Sequence, residues 1–200
     1  MRPATTSIDG LRSHAAALSA SLLVVALLQL GLPDAAAQSY DPGVINREHK
    51  IKAAFLYNFG RYVEWPAEAF PDSEAPFVIG ILGSSPVTSH LRPVARTRKI
   101  QERPAVIRQF SDLEEVSRCH ILFVSANVEP EIQATAIQRC LKQHVLLVGE
   151  DNKFFQRGGM IGMRVEQNRV RVYIALKAAQ REGLVVSSKL LQVAQVVDQP

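Results

Sequence analysis

The sequence predicts an α/β domain of three layers and Rossmann-like order, with a mostly parallel sheet and an antiparallel hairpin at its C-terminal end. Three observations predict it. Short, almost continuously apolar runs recur at 77–83, 120–125 and 144–149, the pattern of strands buried on both faces of a parallel sheet. Segments with helical spacing lie between them. Near the C-terminus the period changes to apolar–polar alternation, as half-buried hairpin strands require.

The elements follow in order. Residues 1–37 read as a signal peptide. Arg2 and Arg12 make a weakly basic start, and residues 15–32 form an apolar run interrupted only by Ser19, Ser21, Gln29 and Gly31. Pro33 breaks the run, and the small side chains of Ala35 and Ala37 suit a signal-peptidase pocket, which places cleavage before Gln38. The alternative is a membrane anchor, but the run is short for a span and no basic cluster follows it. Residues 38–47 form a lead-in, and 48–197 form one domain, long enough for a hydrophobic core. The formal net charge of +4 survives processing, because Arg2 and Arg12 leave with Asp9 and Asp34. Nucleic-acid binding would require a concentrated basic stripe. The densest basic patch, Arg92, Arg96, Arg98, Lys99 and Arg103, reads instead as a solvated helix end and loop.

A first helix is predicted over 46–65, with Asn46 as N-cap and Pro66 as terminator. Ile51, Ala54, Phe55, Phe59, Tyr62 and Trp65 share one face at helical spacing, so this helix packs against the core. Asn58 falls in that face. An unpaired amide there would cost about 1–3 kcal/mol, which predicts a partner tying the helix to a neighbouring loop. A strand over 77–83 leads to a helix over 86–95, ended or bent early by Pro93. Then come a strand at 105–110, a helical turn at 113–117, a strand at 120–125, a helix at 130–141 and a strand at 144–149. Residues 160–165 and 170–176 form a hairpin turning at Gln167–Asn168, where Asn168 tolerates positive φ. Its register opposes Ile161, Met163 and Val165 to Val170, Val172 and Ile174. A last helix is predicted over 188–197. The order of strands in the sheet is not readable.

The two cysteines, Cys119 and Cys140, sit at the start of a strand and at the end of the antiparallel helix that follows it. Both therefore lie at one edge of the sheet, and a disulfide between them is geometrically possible. An oxidising compartment and an even count favour the bridge over two buried thiols. It would close about 20 residues and stabilise by about 3 kcal/mol in the chain-entropy model.

Catalytic chemistry is hard to find. No Gly-x-Ser-x-Gly elbow is present. The histidines at 49, 90, 120 and 144 lack paired-ligand spacing, so neither a metal nor another cofactor is predicted. Glu150-Asp151 follows a strand, where α/β proteins place ligand sites, although an acidic loop is the better reading. Gly83, Ser84 and Ser85 make the best small-ligand candidate: the glycine permits close backbone approach, and the next helix offers free N–H groups. A tight strand-to-helix turn explains the same residues. Phe154 and Phe155 precede Gly158-Gly159-Met160-Ile161-Gly162; exposed on a loop, Phe154, Phe155, Met160 and Ile161 would supply a partner surface, and tucked under the sheet they would be core.

Several of these segments carry a resemblance. Residues 53–59, Ala-Ala-Phe-Leu-Tyr-Asn-Phe, followed by Tyr-Val-Glu-Trp-Pro at 62–66, closely resemble the first-helix signature of the YfiR-like periplasmic proteins, to which Asn58 and Trp65 belong. Residues 119–124 resemble that family's central strand, and 158–162, 168–171, Leu184 and 187–191 resemble its C-terminal block. The resemblance spans about Glu48 to Ala194. It implies a non-enzymatic periplasmic regulator that binds and represses an inner-membrane signalling protein, a diguanylate cyclase or a sensor kinase, and that forms homodimers. The better-known members carry a second cysteine pair that this chain lacks. The other function consistent with the residues is a periplasmic small-ligand receptor using Gly83, Ser84 and Ser85.

Overall fold

A computed structural model describes residues 42–116, 118–151 and 153–198. The expected signal peptide, 1–37, lies outside the described residues. In chain order the elements are α1 (Pro42–Tyr62), β1 (Val63–Glu64), β2 (Phe77–Leu82), α2 (Val87–Thr97), β3 (Lys99–Ile100), β4 (Arg103–Phe110), β5 (Ile121–Val124), α3 (Pro130–Cys140), β6 (Leu146–Gly149), β7 (Ile161–Glu166), β8 (Arg169–Ile174), α4 (Leu176–Arg181), β9 (Val185–Val186), α5 (Ser188–Leu191) and β10 (Ala194–Val196). Short 3-10 turns occupy Ala67–Ala69 and Phe155–Arg157.

The result is a mixed α/β fold around an eight-stranded sheet, ordered β10-β8-β7-β6-β5-β2-β4-β3. The five central strands, β4, β2, β5, β6 and β7, run parallel. Every residue of β2, β5 and β6 is buried. Each fully buried Ile, Leu, Val or Phe there contributes roughly 1.5–3 kcal/mol of transfer free energy, so these three strands are the main source of core stability. Helix α2 carries the chain from β2 outward to β4, and α3 carries it from β5 the opposite way to β6. Right-handed crossovers running in opposite directions put these two helices on opposite faces of the sheet. Helix α1 packs beside α2.

β7 and β8 form an antiparallel hairpin in which Ile161 opposes Ile174, Met163 opposes Val172 and Val165 opposes Val170. Gln167 and Asn168 turn it with φ of 49° and 63°, the left-handed pair that a two-residue hairpin loop uses.

Several elements differ from expectation. Helix α1 begins at Pro42, inside the expected lead-in, because proline suits the first helical turn. It stops at Tyr62, before Trp65, because Val63 and Glu64 pair antiparallel with Val186 and Val185. Gln101 donates to the Gly60 and Val63 carbonyls at 3.1 and 2.7 Å, covering oxygens that the helix end leaves open. Helix α2 continues through Pro93 to Thr97; Pro93 is exposed and sacrifices only a backbone bond that water can replace. Residues 113–115 form a turn and bend instead of a short helix, held by Asp112, whose carboxylate accepts from the Glu114 and Glu115 amides at 2.8 and 3.0 Å. The final helix is a single turn, after which β10 pairs parallel with β8. The β-branched Val193, Val196 and Val197 favour that extended path.

The expected disulfide is absent. Cys119 and Cys140 are both free and buried. They do share the amino edge of the sheet, lining one cavity of about 250 Å³ with Val116, Arg118, Arg139, Gln143 and Val145. Burial, with Cys140 nearby, pushes the Cys119 thiol up to about 12, and burial with Glu182 nearby pushes Cys140 up to about 11. Both therefore remain neutral thiols at physiological pH and behave as small core residues. Cys119 packs over Gly80, where a Cβ would lie 3.2 Å from its sulfur.

Candidate functional site

The strand order reverses between β2 and β5: the chain moves from β2 to β4 on one side, then returns to β5 on the other. At such a point the loops leaving neighbouring strands diverge and open a crevice at the carboxyl edge. The structure has a cavity of about 600 Å³ there, lined by Leu82 at the end of β2 with Gly83 and Ser84 after it, by Ser111–Glu114 after β4, and by Asn127–Glu129 and Ile132 after β5.

Gly83 shapes this crevice. Its φ is +86°, and a Cβ would lie 2.6 Å from Val128 Cγ2 and 2.8 Å from Asn127 Oδ1. Both the backbone and the space thus require glycine. The Gly83 amide donates to Phe110 O at 2.9 Å, which ties the β2 loop to the end of β4. The Ser125 hydroxyl donates to Ser84 O at 2.9 Å, joining it to the end of β5. The β5 loop is anchored further: Gln133, buried, donates to Val128 O at 2.8 Å and accepts from Arg157 at 3.2 Å, and Arg157 pairs with Asp151 at 3.1 Å. This chain of polar contacts links the crevice to the loop after β6.

The lining sets the chemistry. Leu82, Leu113, Val128 and Ile132 supply an apolar wall; Ser84, Ser111 and Asn127 supply hydroxyl and amide groups; and every charged lining residue, Asp112, Glu114 and Glu129, is acidic. Ile132 is 40 % exposed at this site. The crevice is equipped to bind an apolar body bearing a neutral polar or cationic group.

The sequence-derived candidates divide. Gly83 and Ser84 line the crevice, but Ser85 does not. Ser85 is buried and accepts from the Val87 amide through its hydroxyl at 3.3 Å and from the Thr88 amide through its carbonyl at 3.1 Å. The amides expected to cradle a ligand are therefore already used. Phe154, Phe155, Met160 and Ile161 are all buried, so the expected partner surface is core. The glycines around them explain why. A Cβ on Gly149 or Gly159 would lie 2.6 or 2.1 Å from the Phe154 ring, and one on Gly162 would lie 2.9 Å from Phe155. The Gly-rich block thus hollows out space for two phenylalanines, and Gly158 (φ +101°) turns the chain between them and β7. Asn58 is only half-buried and its side-chain amide has no hydrogen bond among the described residues; the helix is tied to its neighbouring loop by Gln101 and by the Tyr57 hydroxyl, which donates to Lys99 O at 3.0 Å. Trp65 is buried edge-on against Phe77, with ring centroids 4.9 Å apart.

Two further polar centres were not read from the sequence. Lys52 is buried in α1 and pairs with Glu48 one turn earlier and with Glu150 after β6. Burial alone would lower the Lys52 pKa, but the bonds to Glu150 and Glu48 outweigh it and raise it above its ordinary value. Glu150 also accepts from the Ala126 amide at 3.3 Å, so this ion triad clamps α1 to the carboxyl edge beside the crevice. The acidic Glu150-Asp151 pair is therefore structural on both counts. At the opposite edge His120 stacks on Phe70 and Phe77, with centroids 4.4 and 4.8 Å away, and accepts from the Val78 amide at 3.0 Å. His144 meets the Glu182 carbonyl at 2.7 Å. Among the described residues no group of three His, Cys, Asp or Glu could hold a metal ion.

The sequence matches the YfiR/HmsC-like family over residues 49–195. The chain belongs to that family. This YfiR/HmsC-like domain is accordingly non-enzymatic, and membership supports a periplasmic regulatory role, since members are periplasmic. No curated protein matches the sequence. Among solved structures, the chain is similar to the ABC domain in complex with L-Trp from Streptococcus pneumonia, at 13 % identity and a TM-score of 0.45, covering 60 % of this chain and 55 % of that one. The chain thus spans little more than half the length of that structure. No described helix of the domain is long and apolar enough to cross a membrane.

Proposed function

We propose that this protein is a periplasmic regulator that senses a small ligand in the β2–β5 crevice and passes its occupancy to an inner-membrane signalling protein. The observation that carries the reading is the coincidence of the roughly 600 Å³ cavity with the reversal of strand order. The acidic lining favours a ligand with an apolar body and an amine or neutral polar group, over the anions that a helix N-terminus would select. The β2 and β5 loops meet through Ser125 and Ser84, and Gln133, Arg157 and Asp151 extend the connection. A ligand bridging those loops would favour one arrangement of them, and a partner that distinguishes the arrangements reads the difference as a population shift. The family resemblance points to a diguanylate cyclase, or a sensor kinase, as that partner, held inactive by the regulator. Export by removal of residues 1–37 belongs to the same reading, and N-terminal sequencing of periplasmic material should begin at Gln38.

The test is a thermal-shift panel of amines, neutral polar compounds and anions on the exported protein and on Ser84→Trp, which fills the crevice from an exposed position. A ligand bound only by the native state raises the apparent melting temperature. A shift by an amine or neutral compound that Ser84→Trp abolishes supports the reading. Shifts equal in both proteins, or shifts by anions alone, would contradict it.

A further inference from the structure

A second cavity, of about 480 Å³, lies between α1 and the tip of the β7–β8 hairpin, on different residues from the crevice. Its helix side is Arg47, Glu48, Ile51 and Phe55; Arg47, Ile51 and Phe55 form a stripe spaced one helical turn apart, and the Glu48 carboxylate is turned to Lys52. Its hairpin side includes Val165, Asn168, Arg169 and Val170. The apolar members remain partly open to solvent: Ile51, Phe55 and Val170 are half-buried, and Val165 is 46 % exposed.

The charges decide what fits. Arg47 and Arg169 are exposed, and neither guanidinium has an ion-pair partner among the described residues. The carboxylates that could have neutralised them are engaged elsewhere. Glu48 is paired with Lys52, and Glu166, which faces Arg169 across the hairpin, accepts from the Tyr173 hydroxyl at 2.6 Å. Two free arginines thus flank an apolar floor between a helix and a hairpin. Guanidinium groups recognise carboxylates through paired, charge-assisted hydrogen bonds. The cavity volume is that of a small-molecule site, too confined for a folded partner.

We propose that this cavity is a binding site for a small amphipathic carboxylate, whose anionic head pairs with Arg47 and Arg169 and whose apolar tail lies on Ile51, Phe55 and Val170. The site is independent of the β2–β5 crevice and does not rest on that reading.

Octanoate is the probe, with octylammonium and octanol as cationic and neutral counterparts, titrated calorimetrically into the exported protein. Octanoate should bind saturably and more tightly than either counterpart. The double variant Arg47→Gln/Arg169→Gln changes only exposed side chains, so it should keep the native melting temperature while weakening octanoate by about ten-fold or more. Ser84→Trp should bind octanoate as the native protein does. Absence of octanoate binding, equal binding of octanol, or undiminished binding by the double variant would overturn the proposal. So would co-sedimentation with phosphatidylglycerol vesicles without binding of soluble octanoate, which would mark the face as a membrane contact.

Discussion

Lowering the pH from 7.5 to 4.5 acts on one buried histidine, His120. Its side chain is enclosed by Phe70, Phe77 and Trp65, and the residue is only 4 % exposed. Its Nδ1 accepts the Val78 amide, which requires the neutral ring. Burial lowers its pKa from 6.5 to about 4, with Arg103 and Arg118 adding to the effect against the backbone groups of Ala69 and Val78. The sign follows from linkage. Between pH 6.5 and 4 the unfolded chain binds a proton at this position and the folded chain does not. The stabilising contribution is therefore complete above pH 6.5 and is lost as the pH falls toward 4. At 1.36 kcal/mol per pH unit the loss reaches about 2–3 kcal/mol by pH 4.5. Urea denaturation followed by the fluorescence of Trp65, the only tryptophan in the sequence, measures it directly. His120→Phe isolates the term from other titrating groups. A phenyl ring keeps the stacking but leaves the Val78 amide without its acceptor, so the variant should be less stable than the native protein at pH 7.5 by about 1–3 kcal/mol. That deficit should shrink or reverse by pH 4.5. A stability difference that stays constant from pH 7.5 to 4.5 would refute the reasoning.

Lys52→Met keeps the aliphatic stem but leaves Glu48 and Glu150 without their shared cation, and should cost about 2–4 kcal/mol in urea titration; a loss below about 0.5 kcal/mol would show that solvent screens the triad. Gly159→Ala drives a methyl group into the Phe154 ring and should destabilise by about 3 kcal/mol or more, whereas Gly159→Ala/Phe154→Leu should recover part of that loss. Intact-mass analysis after alkylation should give two alkylated thiols in urea with or without reductant, and little reaction with the folded protein; a mass requiring reductant before alkylation would contradict the buried, neutral thiols.

Local pattern made much of this fold legible. The alternation from Met160 to Ile174 marks the two hairpin strands and their apolar face, because a one-residue slip would turn Ile161, Met163 and Val172 to solvent. The apolar runs marked β2, β5 and β6 because both their faces are covered. What depended on distant neighbours was not legible. The crevice needs the adjacency of β2 and β5, which no local pattern encodes, so Gly83 and Ser84 were found but Asn127, Val128, Asp112 and Ile132 were not. For Phe154 and Phe155 the sequence leaves surface and core readings open, because the spaces that receive them are made by Gly149, Gly159 and Gly162, which come from separate stretches of the chain. Lys52 reads as an exposed helix charge until Glu150 arrives from the end of β6. Ala194–Val196 is a strand where the sequence predicts a helix, because the valines near the C-terminus find an open parallel partner in β8.

The central claim is that the crevice between β2 and β5 is where this regulator meets a small molecule. An amide chemical-shift titration, using the compound that stabilises the protein most, locates the contact residue by residue. Perturbations concentrated at Gly83, Ser84, Asn127 and Val128, and lost in Ser84→Trp, are the predicted result. Perturbations centred on Phe55 and Arg169, or spread evenly over the surface, would contradict it.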